Sequence, residues 1–331
     1  MYNKFQLAFK YLHYYITAAN GKGHGIHSPF VFNFITKVLN DNREFYAYSK
    51  IEGLRQQLLY SKTIVEVEDF GAGSSVMTHK ERKIKDIARW SLKPAKYAQL
   101  LFRIANYYQP HTVIELGTSL GLTTAYLASA NRSAAVTTFE GATNIAAIAE
   151  NHFRVLGISN IKLIKGNFDQ TFIPALHSLK KIDLAFIDGN HKKEPTARYF
   201  KELLPFLHNT SIVIFDDIHW SVEMEEAWEM IRTHNKVTCS IDLFFIGITS
   251  AIWSMCPPSG VGQLRHCTPY TGPRSPSARA HSSQIVTPRS CSQRALPSPR
   301  RNHSSSSAIE RKWTFFVVTS GKPSLRSKRI W

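Results

Sequence analysis

The chain has little cysteine, no long apolar run and, in its last quarter, almost no acid. Four cysteines occur in 331 residues, and three of them (Cys256, Cys267, Cys291) lie beyond residue 250. Only Cys239 is left for the remainder, which excludes a disulfide there and suits a reducing, cytoplasmic setting. No segment reaches the ~18 apolar residues of a membrane span. The N-terminus lacks a compact apolar stretch followed by a small-residue cleavage site, so neither a membrane protein nor a signal peptide is expected. From Ser250 to Trp331 a single acid, Glu310, stands against 13 Lys and Arg. The formal net charge of +17 is therefore uneven, about +12 in that tail and about +5 in the rest. A basic excess spread over the whole chain would suggest nucleic acid. The near-neutral core does not.

The tail also holds nine of the fifteen prolines and clusters such as Arg274-Ser275-Pro276-Ser277. Such a composition cannot bury a core, and residues 249–331 read as a disordered Ser/Pro/Arg-rich tail. It starts abruptly after the apolar run 240–248, as a frameshifted extension would. A basic arm for an anionic partner is the alternative.

Residues 1–90 read as a helical N-terminal extension. Phe5, Ala8, Phe9, Leu12, Tyr15 and Ile16 recur at helical spacing. Ser28-Pro29 then opens a second helix as N-cap and first helical residue. Between them the Gly- and His-containing loop 21–27 is either a lid over a substrate or a plain connector.

From residue 91 to 248, strands and helices alternate, which specifies an α/β fold with a doubly wound, mostly parallel sheet. The most informative stretch is Thr112-Val113-Ile114-Glu115-Leu116-Gly117-Thr118-Ser119-Leu120-Gly121, with Glu140 following 25 residues after Glu115. An apolar run ending in an acid and a Gly-containing turn, then a helix and a second strand ending in an acid, describes a nucleoside-binding βαβ unit. Gly117 and Gly121 let the backbone approach a ligand, and Glu140 stands where a ribose diol would offer two hydroxyls. The dinucleotide fingerprint G-x-G-x-x-G serves a pyrophosphate. Here Glu115 replaces a glycine, and a carboxylate would repel that group. A second Gly-containing stretch, 69–74, fails the same comparison: its preceding run alternates charge with apolar residues, and no later strand supplies a ribose acid.

In these residues the chain resembles the class I SAM-dependent methyltransferases, whose first motif is an E/D-x-G-x-x-x-G turn. The resemblance implies S-adenosylmethionine as cofactor. It places Glu115, Gly117, Thr118, Ser119 and Gly121 around its methionine part and Glu140 at the ribose, with Thr123, Gly141 and Asp188 also in the cofactor site. The strand and loop ending in Gly166 look like those that flank adenine, with Asn167 bonding the base and Phe168 stacking on it.

Asp188 ends one strand, and Asp216 with Asp217 ends the next. Strands that neighbour one another bring such acids together at their carboxyl ends, and three clustered carboxylates are costly without a cation. A hard divalent ion such as Mg²⁺ relieves that cost. The pattern resembles metal-dependent O-methyltransferases of the catechol type and the sugar type with a D-G-D/N-H motif, in which an Asp and an acid pair about 28 and 29 residues later hold the metal. His191, three residues after Asp188, occupies the place of that family's general base. The expected metal set is Asp188, Asp216 and Asp217. The expected activity is methyl transfer to a hydroxyl of a small molecule, with no nucleic acid or membrane partner for the core and a homodimer left open. The alternatives are a methyltransferase acting on RNA or protein and a catalytically inactive SAM-fold protein. The resemblance also implies an antiparallel last strand, which the sequence does not display after residue 248 unless Trp313–Val318 substitutes for it.

Overall fold

The computed structural model describes residues 1–20, 28–67, 81–250 and 314–319. The 21–27 loop, the 69–74 stretch and most of the tail lie outside these residues. Among the described residues, no helix is long and apolar enough to cross a membrane.

The N-terminal part comprises helix α1 (Lys4–Thr17), strand β1 (Ala19–Asn20), helix α2 (Pro29–Asn33) with a π-helical continuation (Phe34–Leu39), α3 (Tyr46–Tyr60), the strands β2 (Ile64–Glu66) and β3 (Glu81–Lys83), and α4 (Ile84–Ser91). Ser28 caps α2 through its side chain, with Pro29 at the first helical position, as its sequence predicts. Helix α5 (Ala95–Tyr108) then leads into an alternation: β4 (Thr112–Leu116), α6 (Leu122–Ala130), β5 (Ala135–Glu140), α7 (Thr143–Leu156), β6 (Ile161–Lys165) and α8 (Phe168–His177). After these come β7 (Ile182–Ile187), α9 (Lys193–Leu203), β8 (Leu207–Asp216) and α10 (Val222–Arg232). The last strands are β9 (Cys239–Asp242), β10 (Ile246–Ser250) and β11 (Thr314–Thr319).

One nine-stranded sheet runs β1-β11-β9-β10-β8-β7-β4-β5-β6. The five strands from β8 to β6 are parallel, and β4, β7 and the end of β8 are the most apolar and buried of them, as expected where helices cover both faces. On one face Tyr48 of α3, Phe102 of α5 and Tyr126 of α6 meet edge to face, with ring centroids 5.3–6.3 Å apart. On the other face Phe139, Phe172 and Tyr199 form a similar chain at 5.6 Å. Strand β4 pairs with β5 on one side and β7 on the other. The strand order reverses there, and the crevice at the carboxyl ends of β4 and β7 is where this architecture receives ligands.

The run 240–248 is a hairpin rather than one strand. The Asp242 carboxylate accepts a hydrogen bond from the Phe244 N–H at 2.8 Å, and the Leu243 N–H donates to the Ile246 carbonyl at 2.9 Å. Phe244 takes a left-handed conformation, φ 70°, of the kind that turns usually assign to Gly or Asn. Strand β10 then pairs antiparallel with both β8 and β9. The sheet thus closes with the antiparallel strand that the resemblance implies, before the tail begins, and Thr249 and Ser250 belong to it. Strand β11 adds antiparallel to β9 one position farther out.

Helix α1 docks by a face other than its regularly spaced apolar one. Its regularly spaced Phe5, Phe9, Leu12, Tyr15 and Ile16 are exposed. The opposite side docks, with Tyr11 and Tyr14 against Phe244 at 5.0 and 5.2 Å. Periodicity identifies an apolar face, but the buried face here is the one whose tyrosine hydroxyl also finds a partner: Tyr14 donates to the Asp242 carbonyl at 2.7 Å.

Candidate functional site

The site begins at the turn after β4. Gly117 (φ 100°), Ser119 (φ 47°) and Gly121 (φ 80°) all take positive φ. The Gly117 and Thr118 N–H groups donate to the Phe139 carbonyl, and the Asp188 N–H donates to that of Leu116. A Cβ on Gly117 would stand 2.2 Å from the Asp188 carbonyl oxygen, and one on Gly121 would run into the Phe153 ring. The turn is therefore flattened against the end of β7, which brings the loops after β4, β5 and β7 together.

Glu140 ends β5 beside that turn. Its carboxylate accepts from the Ser119 N–H at 2.7 Å and the Ala142 N–H at 2.9 Å, and Gly141 lies between them in sequence. Glu115 lies deeper than a ligand contact requires. It is fully buried and accepts from the hydroxyls of Thr124 and Thr138, the latter at 2.7 Å. The Thr138 hydroxyl in turn meets that of Thr118 at 2.6 Å. The other Glu115 oxygen has no partner, and burial pushes its carboxyl up to about 8. At neutral pH this residue is mostly uncharged, so charge repulsion of a pyrophosphate is not its contribution. It braces the turn from beneath. Thr123, also buried, is in the first turn of α6.

Asn167 is the N-cap of α8, and its side-chain oxygen is occupied by the Asp169 N–H at 2.9 Å. Phe168 packs where a Cβ on Gly189 would come within 2.6 Å of its ring, placing it next to Asp188.

The acids at the ends of β7 and β8 converge, although not as the expected triad. Donor atoms of Asp188, His191 and Asp216 lie within 4.8 Å of one another, and His191 Nε2 is 3.7 Å from Asp188 Oδ1. Asp217 is absent from this group. Consecutive residues at a strand end project to opposite sides, and Asp217 has left-handed backbone (φ 53°) whose N–H donates to the Phe245 carbonyl at 2.7 Å. Neither acid caps α10; the Ser221 side chain does so.

One residue of this cluster carries no motif in the sequence. Lys93, between α4 and α5, is 9% exposed, hydrogen-bonded to Asp216 Oδ2 and 3.6 Å from Asp188 Oδ2. Burial raises the Asp188 carboxyl above the usual carboxylate range, against the opposing pull of Lys93 and His191. The cost of clustered buried acids was a readable signal. That a lysine some 95 positions upstream meets part of it was not.

His219 lies just outside, as a support. Its Nδ1 meets Glu225 and its Nε2 meets Asp242, both at 2.9 Å. Trp220 offers its carbonyl to the Tyr2 N–H at 3.1 Å.

Residues 114–218 match a family described as a methyltransferase domain. No curated protein matches the chain. Solved structures that resemble it include cofactor-bound Rv0187 from MTB (19% identity, 50% of this chain and 84% of that one, TM-score 0.46). The SAH-bound Podospora anserina methyltransferase PaMTH1 is similar at 13% identity, covering 68% and 97%, TM-score 0.46. The O-methyltransferase TomG from Streptomyces achromogenes, in complex with SAM, is similar at 18% identity, covering 62% and 89%, TM-score 0.44. The strand order and the turn after β4 agree with the family match over residues 114–218. Over those residues the chain is a methyltransferase domain.

Proposed function

We propose that this methyltransferase transfers the methyl group of S-adenosylmethionine to a hydroxyl of a small molecule. The observation that carries the reading is the contact between the two halves of the site. Gly117 of the cofactor turn abuts Asp188, and Asp188 belongs to the Asp188–His191–Asp216 cluster. A methyl donor seated on the turn is thereby next to groups suited to a hydroxyl acceptor. Glu140 is positioned for the ribose. The Ser119 N–H of the turn and the Ala142 N–H donate to it and set its orientation before a ligand arrives.

His191 is the least buried of the cluster and takes the acceptor's proton. Asp188 orients its ring. Sulfonium and acceptor oxygen cancel charge as the methyl moves, so alignment is the domain's main contribution. The donor set also fits a hard divalent cation: two carboxylates meet, and one oxygen of Asp216 is buried without a partner. Asp188 and Asp216 would hold it, and when bound it would lower the pKa of the acceptor hydroxyl.

Calorimetry with S-adenosylhomocysteine (SAH), followed by conversion of labelled SAM on a panel of phenols, sugars and aliphatic alcohols, tests the reading. Asp188→Ala and His191→Ala should each lower turnover at least tenfold more than Trp220→Ala. Equal losses in all three, or methylation of RNA or protein alone, would contradict it.

A further inference from the structure

The position between Asp188 and Asp216 already contains a cation. Lys93 reaches it from the segment joining α4 to α5, and Pro94 directly after it begins the rigid entry to α5. The ammonium contacts Asp216, lies 3.6 Å from Asp188 and stands 6.0 Å from the centre of the Phe186 ring. Its stem is buried, so this is no surface pair formed by a wandering side chain. The same segment is tied to the cofactor turn, where the hydroxyls of Ser91 and Ser119 meet at 2.8 Å.

We propose that Lys93 is a tethered competitor for the divalent ion, holding the cation position between Asp188 and Asp216 until an ion displaces it. The inference rests on the metal-binding part of the reading above. Two carboxylates in a poorly hydrated site need positive charge, and Lys93 provides it without any ion. A divalent ion reaching the same oxygens meets an ammonium within a few ångströms, and two like charges at that separation repel strongly where water is scarce. Ion entry therefore requires Lys93 to swing away, and the work of moving it weakens the apparent ion affinity. A short polar or apolar side chain at position 93 would leave the carboxylates uncompensated and the ion welcome.

Mn²⁺ titrated into the full-length protein, with binding read by calorimetry and by its paramagnetic signal, tests this with no acceptor present. Lys93→Met should bind Mn²⁺ at least tenfold more tightly than the parent protein, and Lys93→Arg, which keeps the charge, should not. Lys93→Gln serves as a second neutral variant, and thermal unfolding checks that each variant is folded. Asp216→Asn in the Lys93→Met background should abolish the gain. Equal or weaker binding in both neutral variants overturns the proposal, as does the absence of Mn²⁺ binding in every protein. Each titration is run with and without SAH. Failure to bind SAH counts against the methyltransferase reading alone, because the Mn²⁺ ratio is read either way.

Discussion

Gly117 and Asp188 are packed so closely that a single added carbon on the glycine would stand 2.2 Å from the aspartate's carbonyl oxygen. Gly117 also has φ 100°, which L side chains rarely adopt. Gly117→Ala should therefore cost stability through strain, about 1–3 kcal/mol, and push β4 and β7 apart at the crevice. SAH affinity should fall at least tenfold, measured by calorimetry on protein shown to be folded by circular dichroism. Unchanged affinity would mean that the turn is not a ligand cradle.

Glu115 sets a pH dependence of stability. Its carboxyl is raised from 4.5 to about 8, chiefly by burial. The native state then holds a proton that the unfolded chain has released, so stability falls as pH rises between those values. The contribution is complete below about pH 4.5 and lost on passing through 8. Glu115→Gln keeps the shape and one hydrogen-bonding oxygen without the titration. Denaturant midpoints from pH 5 to 9 should decline less steeply in the variant, and parallel slopes would show that Glu115 is not the titrating group.

His219 works in a neighbouring window. Both ring nitrogens face carboxylate oxygens, a geometry that only the doubly protonated ring satisfies as donor. Burial by itself would lower its pKa, but Asp242 and Glu225 hold it above 6.5. Its stabilisation is therefore full below about pH 6.5 and fades as pH rises through the elevated value. Glu225 also receives the Tyr2 hydroxyl at 2.8 Å and the Lys10 ammonium at 2.9 Å, so α1 should loosen first. Hydrogen exchange of residues 4–17, corrected for the intrinsic pH effect, should accelerate above neutrality in the parent and lose that dependence in His219→Gln.

The parallel strands were legible because most are short, largely apolar runs between helical patterns. The Gly117–Gly121 turn was legible from its two glycines, whose places leave no room for a Cβ. The β9–β10 hairpin was hidden. Its turn is made of Leu243, Phe244 and Phe245, which bear none of the usual turn chemistry and are instead covered by Tyr11, Tyr14 and Tyr97. Tertiary packing overrode local propensity there. In the site, Asp188 and Asp216 were legible as acids at the ends of neighbouring strands, and His191 from the resemblance. Asp217 was misplaced because sequence adjacency does not convey which way a strand end faces. Lys93 escaped notice because a lone lysine before a proline has no pattern, and only the folded chain shows which acids it serves. Asn167 also caps α8 through its side-chain oxygen, which its place after the strand ending in Gly166 did not reveal.

The Tyr14 hydroxyl rests on the backbone of Asp242, 228 positions later. A ribosome releases Tyr14 well ahead of Asp242, which follows only after nearly the whole catalytic domain has emerged. Through that interval α1, with Phe5, Phe9 and Ile16 exposed even in the finished fold, lacks the part of its seat made by Asp242 and Phe244. Its docking is a late event of biosynthesis, and a nascent chain stalled before residue 239 would display an unseated, sticky N-terminal helix to whatever chaperone waits at the exit tunnel.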